Sequence, residues 1–190
     1  MKKIIAITSA FLLIAGVGFA QDWNWDKAHS QLNFGVSHLT ISEIDGTFGT
    51  VDAKMTASKD DLSDAQITLT ADVNSINTGN EARNNELKSA NFFNVAQFAN
   101  LTFTSTSFTK VDGKNYRLEG NLTLHGVTKP VTLDVVFNGT VISPMGKKTV
   151  AGFKVTGIIK RSDFGIATSF PANVVSDEVM LKANAEFVKS

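Results

Sequence analysis

Apolar and polar residues alternate along most of this chain, the period of strands that bury one face. The pattern is cleanest between Tyr116 and Phe137. Tyr116, Leu118, Leu122 and Leu124 share one face of an extended segment, with Arg117, Glu119, Asn121 and Thr123 on the other. Beyond a polar interval, Val131, Leu133, Val135 and Phe137 repeat the alternation. Two such runs around a short polar stretch predict a β-hairpin. Pro130 has no N–H for a ladder, which assigns it to the start of the second strand or to an edge. Gly126 can supply a turn conformation closed to His125 or Val127.

The same period recurs elsewhere. Leu32, Phe34, Val36 and His38 mark a first strand. Phe48 lies on the even-numbered face of the next segment but Val51, Ala53, Met55 and Ala57 lie on the odd one, a switch that predicts a bulge near Gly49. Ala65, Ile67, Leu69, Ala71 and Val73 form a third strand. Thr78 followed three residues later by Glu81 has capping-box spacing, and Glu81 to Ser89 holds good helix formers, so one short helix is expected near residues 79–90. Extended structure resumes at Leu101 and Phe103. It closes with Phe153, Val155, Gly157 and Ile159, then Val179, Leu181, Ala183, Ala185 and Phe187. About eight strands with one helical interruption predict an all-β antiparallel fold, a sandwich or a closed barrel. The barrel is favoured because it leaves no long apolar edge exposed.

Residues 1–20 stand apart from this pattern. Lys2 and Lys3 precede a nearly unbroken apolar run from Ile4 to Val17, and Gly18-Phe19-Ala20 is a small-x-small cleavage site before Gln21. This is the anatomy of a cleaved signal peptide, and the run is too short for a bilayer span of about 20 residues. The expected mature protein, residues 21–190, is a single domain destined for the periplasm. It carries 16 Lys and Arg against 18 Asp and Glu, a formal charge of −2. Its lysines are scattered, so no basic face points to nucleic acid. With no cysteine in the chain, disulfides and thiolate chemistry are excluded.

The inward positions mix Phe34, Phe48, Phe103, Phe137, Phe153 and Phe187 with Ala53, Ala71, Gly120, Gly157 and Ala183. A barrel of about eight strands either fills with side chains or holds one small ligand. Small inward residues favour the second, although they also fit the taper of a filled barrel.

An ordered set of short motifs adds a resemblance. Trp25-Asp26 with His29-Ser30 comes first, then Gly46-Thr47-Phe48 and Ser75-Ile76-Asn77-Thr78-Gly79. Asn91-Phe92-Phe93, the stretch Gly120 to Pro130, Arg161-Ser162-Asp163-Phe164-Gly165 and Val175-Ser176-Asp177-Glu178-Val179 follow. Across residues 22–188 the chain resembles the YceI-like family of exported bacterial proteins. The resemblance implies a lipocalin-like barrel enclosing an apolar tunnel that binds a long isoprenoid or other amphiphilic lipid. Together with the alternation, it assigns Phe34, Val36, Phe48, Leu69, Phe92, Phe103, Leu122, Leu124, Phe137, Phe153, Val155, Phe164 and Leu181 to the tunnel. The family's Arg-Asp-x-His-Leu arrangement appears here as Arg83-Asn84-Asn85-Glu86-Leu87, so a role resting on that aspartate or histidine does not transfer.

Arg83 and Arg161 are the candidates for a ligand head group, because a guanidinium matches phosphate or carboxylate with two parallel bonds. The competing reading pairs Arg161 with Asp163 or Asp177 and leaves Arg83, flanked by Glu81 and Glu86, on a solvated face. His29, His38 and His125 lie in three separate segments without metal-ligand spacing, so no metal and no cofactor is expected. Asp60, Asp61 and Asp64 read as a turn. No nucleophile motif or phosphate loop is present. The expected function is binding without catalysis, by a carrier that stays out of the membrane and allows a homodimer. The alternative is an enzyme acting on an isoprenoid or quinone in the same cavity, with Arg161 and His125 as its polar groups. An outer-membrane barrel is disfavoured by Lys54, Gln66, Arg117, Glu119 and Asp134 at outward positions.

Overall fold

The computed structural model describes residues 20–190; the expected signal peptide, but for Ala20, lies outside the described residues. Eleven strand segments line up as eight long staves. The first stave is β1 (Gln21–Trp25) with β2 (Gln31–His38), and the second is β3 (Ser42–Phe48) with β4 (Val51–Ala57). The third is β5 (Gln66–Asp72), a 3₁₀ turn (Val73–Ser75) and β6 (Ile76–Asn77). Helix α1 (Glu81–Lys88) follows, and then β7 (Asn100–Asp112), β8 (Asn115–Leu124), β9 (Val127–Ile142), β10 (Thr149–Lys160) and β11 (Val175–Lys189). Every stave pairs antiparallel with the next. The last strand, β11, returns to the first stave, setting Leu181 opposite Phe34 and Lys189 opposite Trp23. The result is a closed antiparallel barrel with one helix, the architecture the alternation predicts.

The staves bend where the period breaks. At Gly49 and Thr50, between β3 and β4, both N–H groups leave the ladder and donate to Ser75, one to its carbonyl at 3.1 Å and one to its Oγ at 2.9 Å. The interruption between β5 and β6 therefore satisfies the one between β3 and β4. The first stave breaks between Asp26 and Ser30, where Asp26 N donates to the Glu186 carbonyl and Glu186 N to Ser30 Oγ.

Two local expectations need correction. The helix is capped by Asn80, whose Oδ1 accepts from Arg83 N at 3.0 Å; Thr78 is not the cap. The hairpin turn uses positive φ at His125 (52°) as well as Gly126 (75°), the pair of left-handed residues that a two-residue hairpin loop requires. His125 holds that conformation because Nδ1 meets the Phe164 carbonyl at 3.1 Å and its ring packs edge-on against Phe98. Pro130 sits where β9 has β8 beside it but has not yet met β10, whose pairing starts at Asp134, so no ladder bond is lost on that side.

Candidate functional site

The inward face of the staves encloses a cavity of about 480 Å³. Its floor is aromatic. Phe108 stacks on Tyr116 at 4.8 Å, Phe153 on Phe137 at 5.1 Å, and Phe187 packs edge-on against Phe153 and Trp25. The Tyr116 hydroxyl donates to the Asp61 carbonyl at 2.9 Å, pinning the floor to the turn between β4 and β5. Above the floor the wall is aliphatic, with Met55, Leu69, Leu118, Leu122, Val155 and Leu181 among its members. Apart from Asn33 on β2, the polar lining residues gather at the other end, around the end of β2, helix α1 and the end of β10: His38, Thr78, Arg83, Glu86 and Arg161. A compartment dry along its length and polar at one end suits an amphiphile and gives water little to bond.

Arg83 is half-buried at this polar end. Its Nε donates to Thr78 Oγ1 at 2.8 Å and its Nη2 to the Thr78 carbonyl at 2.9 Å. Asn84 Oδ1 accepts from both Thr78 N and Thr78 Oγ1 at 2.8 Å, so the short helix and the chain before it are locked together. Among the described residues Nη1 of Arg83 makes no hydrogen bond, and Glu86 is engaged by Asn91 Nδ2 at 3.2 Å. Arg83 thus offers a positioned cation with free donors.

Arg161 is a different object. It is 6 % exposed, and its guanidinium is surrounded by backbone carbonyls. Nε donates to Ser176 at 3.2 Å, Nη1 to Ile166 and Ala167, and Nη2 to Phe170 at 2.7 Å and Val175 at 3.1 Å. A guanidinium has five N–H groups, and here five carbonyls take them. Neither sequence expectation holds: the donors are occupied, so a head group finds none, and no ion pair forms with Asp163 or Asp177. Asp177 instead accepts from Ser162 N at 3.0 Å and Ser162 Oγ at 2.8 Å. Burial pushes its carboxyl upward, but the two Ser162 bonds and the nearby Arg161 charge outweigh that and leave it below the ordinary value. Arg161 ties the β10–β11 connection, whose Ile166, Phe170 and Val174 line the cavity, to the start of β11.

The family model described as the YceI-like domain matches residues 23–187. Protein YceI of Salmonella newport is 40 % identical over 192 residues, covering 99 % of this chain and 98 % of the relative. The chain belongs to the YceI-like family. Among solved structures, YCEI protein of Campylobacter jejuni shares 28 % identity and a TM-score of 0.74 over 98 % of this chain and 99 % of that one. BcnA of Burkholderia cenocepacia has the same fold at 22 % identity, with a TM-score of 0.77 over 85 % of this chain and 98 % of that chain. A domain from Saccharophagus degradans, described as polyisoprenoid binding and implicated in plant cell wall breakdown, shares the fold at 19 % identity. Its TM-score is 0.65, over 88 % of this chain and 98 % of that one.

Within this YceI-like barrel, Phe34, Val36, Phe48, Leu69, Phe92, Phe103, Leu122, Leu124, Phe153, Val155 and Leu181 line the cavity. Phe137 and Phe164 do not. Phe137 shares the inward face of Val135 but lies beneath Phe153 and Tyr116, closing the floor from outside the cavity. Alternation reports which face a side chain takes, not its depth along the bore. Phe164 belongs to a 3₁₀ turn (Arg161–Phe164) that ends on left-handed Gly165, and it is 1 % exposed in the core while its carbonyl receives His125. Sequence reasoning in turn passed over Leu87, Phe93, Ile166, Phe170 and Val174, which reach the cavity from the helix and loops. Those segments carry no period from which a facing could be read.

The remaining polar clusters turn inward on themselves. Asp64 accepts from Ser58 N, Ser58 Oγ and Lys59 N, and Asp61 from Ser63 N, the turn expected of that acidic run. Asp26, His29 and Glu186 place ligand atoms within 4.8 Å of one another at the break in the first stave. Asp26 Oδ2 meets His29 Nδ1 at 2.9 Å while Oδ1 accepts from Ala28 N. The bond to His29 draws the Asp26 carboxyl down, and the same bond draws the His29 imidazole up, the behaviour of an exposed ion pair.

Proposed function

We propose that this protein is an exported carrier that holds a long-chain isoprenoid or another amphiphilic lipid, its tail in the barrel and its polar head at Arg83. The observation that carries the reading is a closed barrel whose cavity is apolar along its length and polar at one end. Each methylene buried there contributes about 0.8 kcal/mol, so a tail of about ten carbons gains about 8 kcal/mol before the cost of association. No specific polar contact is needed along the wall, and the head group needs only the free Nη1 of Arg83. The description of the Saccharophagus domain as polyisoprenoid binding is in keeping with this, although the likeness itself is one of fold.

Export rests on the charged, apolar and small-residue order of residues 1–20. Binding is preferred to turnover because the two polar groups considered for catalysis are committed elsewhere. Arg161 donates to five carbonyls, and His125 holds the hairpin turn and does not line the cavity. The test is native mass spectrometry, with lipid extraction, of protein recovered from the soluble periplasmic fraction of its own cell. The expected result is a co-purifying apolar ligand. Recovery from the cytoplasm would sink the export reading. A protein that carries no such ligand and displaces no fluorescent fatty acid would sink the carrier reading.

A further inference from the structure

Three glycines on the inner wall stand where a side chain of a neighbouring strand lies flat. A Cβ built on Gly46 falls 2.2 Å from Cζ of Phe34, its partner across β2 and β3. One on Gly120 falls 2.4 Å from Cζ of Phe103 and 2.6 Å from the Thr104 carbonyl oxygen. One on Gly157 falls 2.4 Å from Cδ2 of Leu133. None of the three has a positive φ, so no turn conformation demands glycine there. What they share is a large apolar neighbour that itself lines the cavity. They also sit on different staves, in β3, β8 and β10, so their effect is spread around the bore.

The width of a small barrel is decided by how far its inward side chains project, since eight strands leave room for little more than those side chains. A phenyl ring standing upright from the wall closes the bore, and a ring folded down onto a bare backbone leaves it open. Glycine is the one residue that provides such a recess. We propose that Gly46, Gly120 and Gly157 set the bore of this cavity by letting Phe34, Phe103 and Leu133 lie against the wall, so that it admits a methyl-branched chain. A Cβ and a branch methyl are the same group. Adding one to the wall removes the width needed by one on the ligand, while an unbranched chain still passes. This inference rests on the carrier reading and assigns to these glycines the width by which the cavity accepts branched as well as unbranched chains.

The test compares hexadecanoic acid with phytanic acid, which has the same main chain and head group plus four branch methyls, by titration calorimetry. The wild-type protein is expected to bind both. Gly46→Ala and Gly157→Ala are expected to weaken phytanic acid about tenfold or more relative to hexadecanoic acid, the discrimination that one methyl group in an apolar pocket typically produces. Adding Phe34→Leu to Gly46→Ala is expected to restore the wild-type ratio. Gly120 is left alone because its Cβ would meet backbone. If Gly46→Ala does not fold, Gly157→Ala carries the test, because the end of Leu133 can swing aside. The widening variant Phe34→Leu, expected to shift the ratio toward phytanic acid, carries it as well. An unchanged ratio in these variants overturns the assignment while leaving the carrier reading intact. A wild-type protein that binds neither acid removes the carrier reading and this inference with it.

Discussion

Arg161 is where the structure departs furthest from what the residue type suggests, and its replacement by methionine separates the two roles. Methionine keeps an unbranched apolar stem and removes all five donors. The carbonyls of Ile166 and Ala167, bonded by Nη1, are buried with it, and a buried acceptor left unpaired costs about 1–3 kcal/mol. Counting those two, and allowing the three partly exposed carbonyls to recover water, Arg161→Met costs about 2–6 kcal/mol. In a domain of this size that lowers the melting temperature on the order of 10 °C. Arg161→Lys is expected to fall in the same direction, because one ammonium cannot reproduce a planar fork reaching five carbonyls, three on the β10–β11 connection and two at the start of β11. The assay is thermal unfolding followed by circular dichroism, paired with calorimetric titration of hexadecanoic acid well below the transition. The expected outcome is a large loss of melting temperature for both variants, without a specific loss of the carboxylate head group relative to the matching alcohol. The reasoning is refuted if both variants melt like the wild type while Arg161→Met alone loses the carboxylate preference, since that pattern belongs to a head-group ligand.

Arg83→Gln should do the reverse, lowering affinity for hexadecanoic acid relative to hexadecanol by about 1.5 kcal/mol, roughly tenfold, with little change in melting temperature; an unchanged ratio in titration calorimetry would remove Arg83 from the head-group site. The Asp26–His29 pair makes a pH prediction. His29 titrates above its ordinary 6.5, so its contribution to stability is complete below that value and is lost as pH rises through the raised one. The depressed Asp26 contributes above the ordinary carboxylate value and loses that contribution as pH falls through its lowered one. In Asp26→Asn the His29 resonance, followed by NMR titration, should fall back toward 6.5. A His29 that titrates identically in both proteins would contradict the pairing.

The sequence by itself determined the barrel and most of its lining. A period of two is a local property, since successive side chains point to opposite faces whatever the strand pairs with, so Leu122, Leu124, Phe153 and Leu181 could be assigned to the inside before any partner was known. The parity switch at Gly49 located a bend for the same reason. The tertiary structure decided what no local pattern encodes. It set depth along the bore, which puts Phe153 in the floor of the cavity and Phe137 beneath it, outside the lining, and it chose the loop residues Phe170 and Val174 that complete the polar end. It gave the two arginines opposite roles, because the donors of Arg161 are consumed by carbonyls up to fifteen residues away while Arg83 keeps a free nitrogen. Above all it placed Phe34 and Leu133 over Gly46 and Gly157, a pairing across strands. Alternation brings a glycine and a phenylalanine to the same inner wall. Only the register of the strands decides whether one folds down over the other and leaves the bore open.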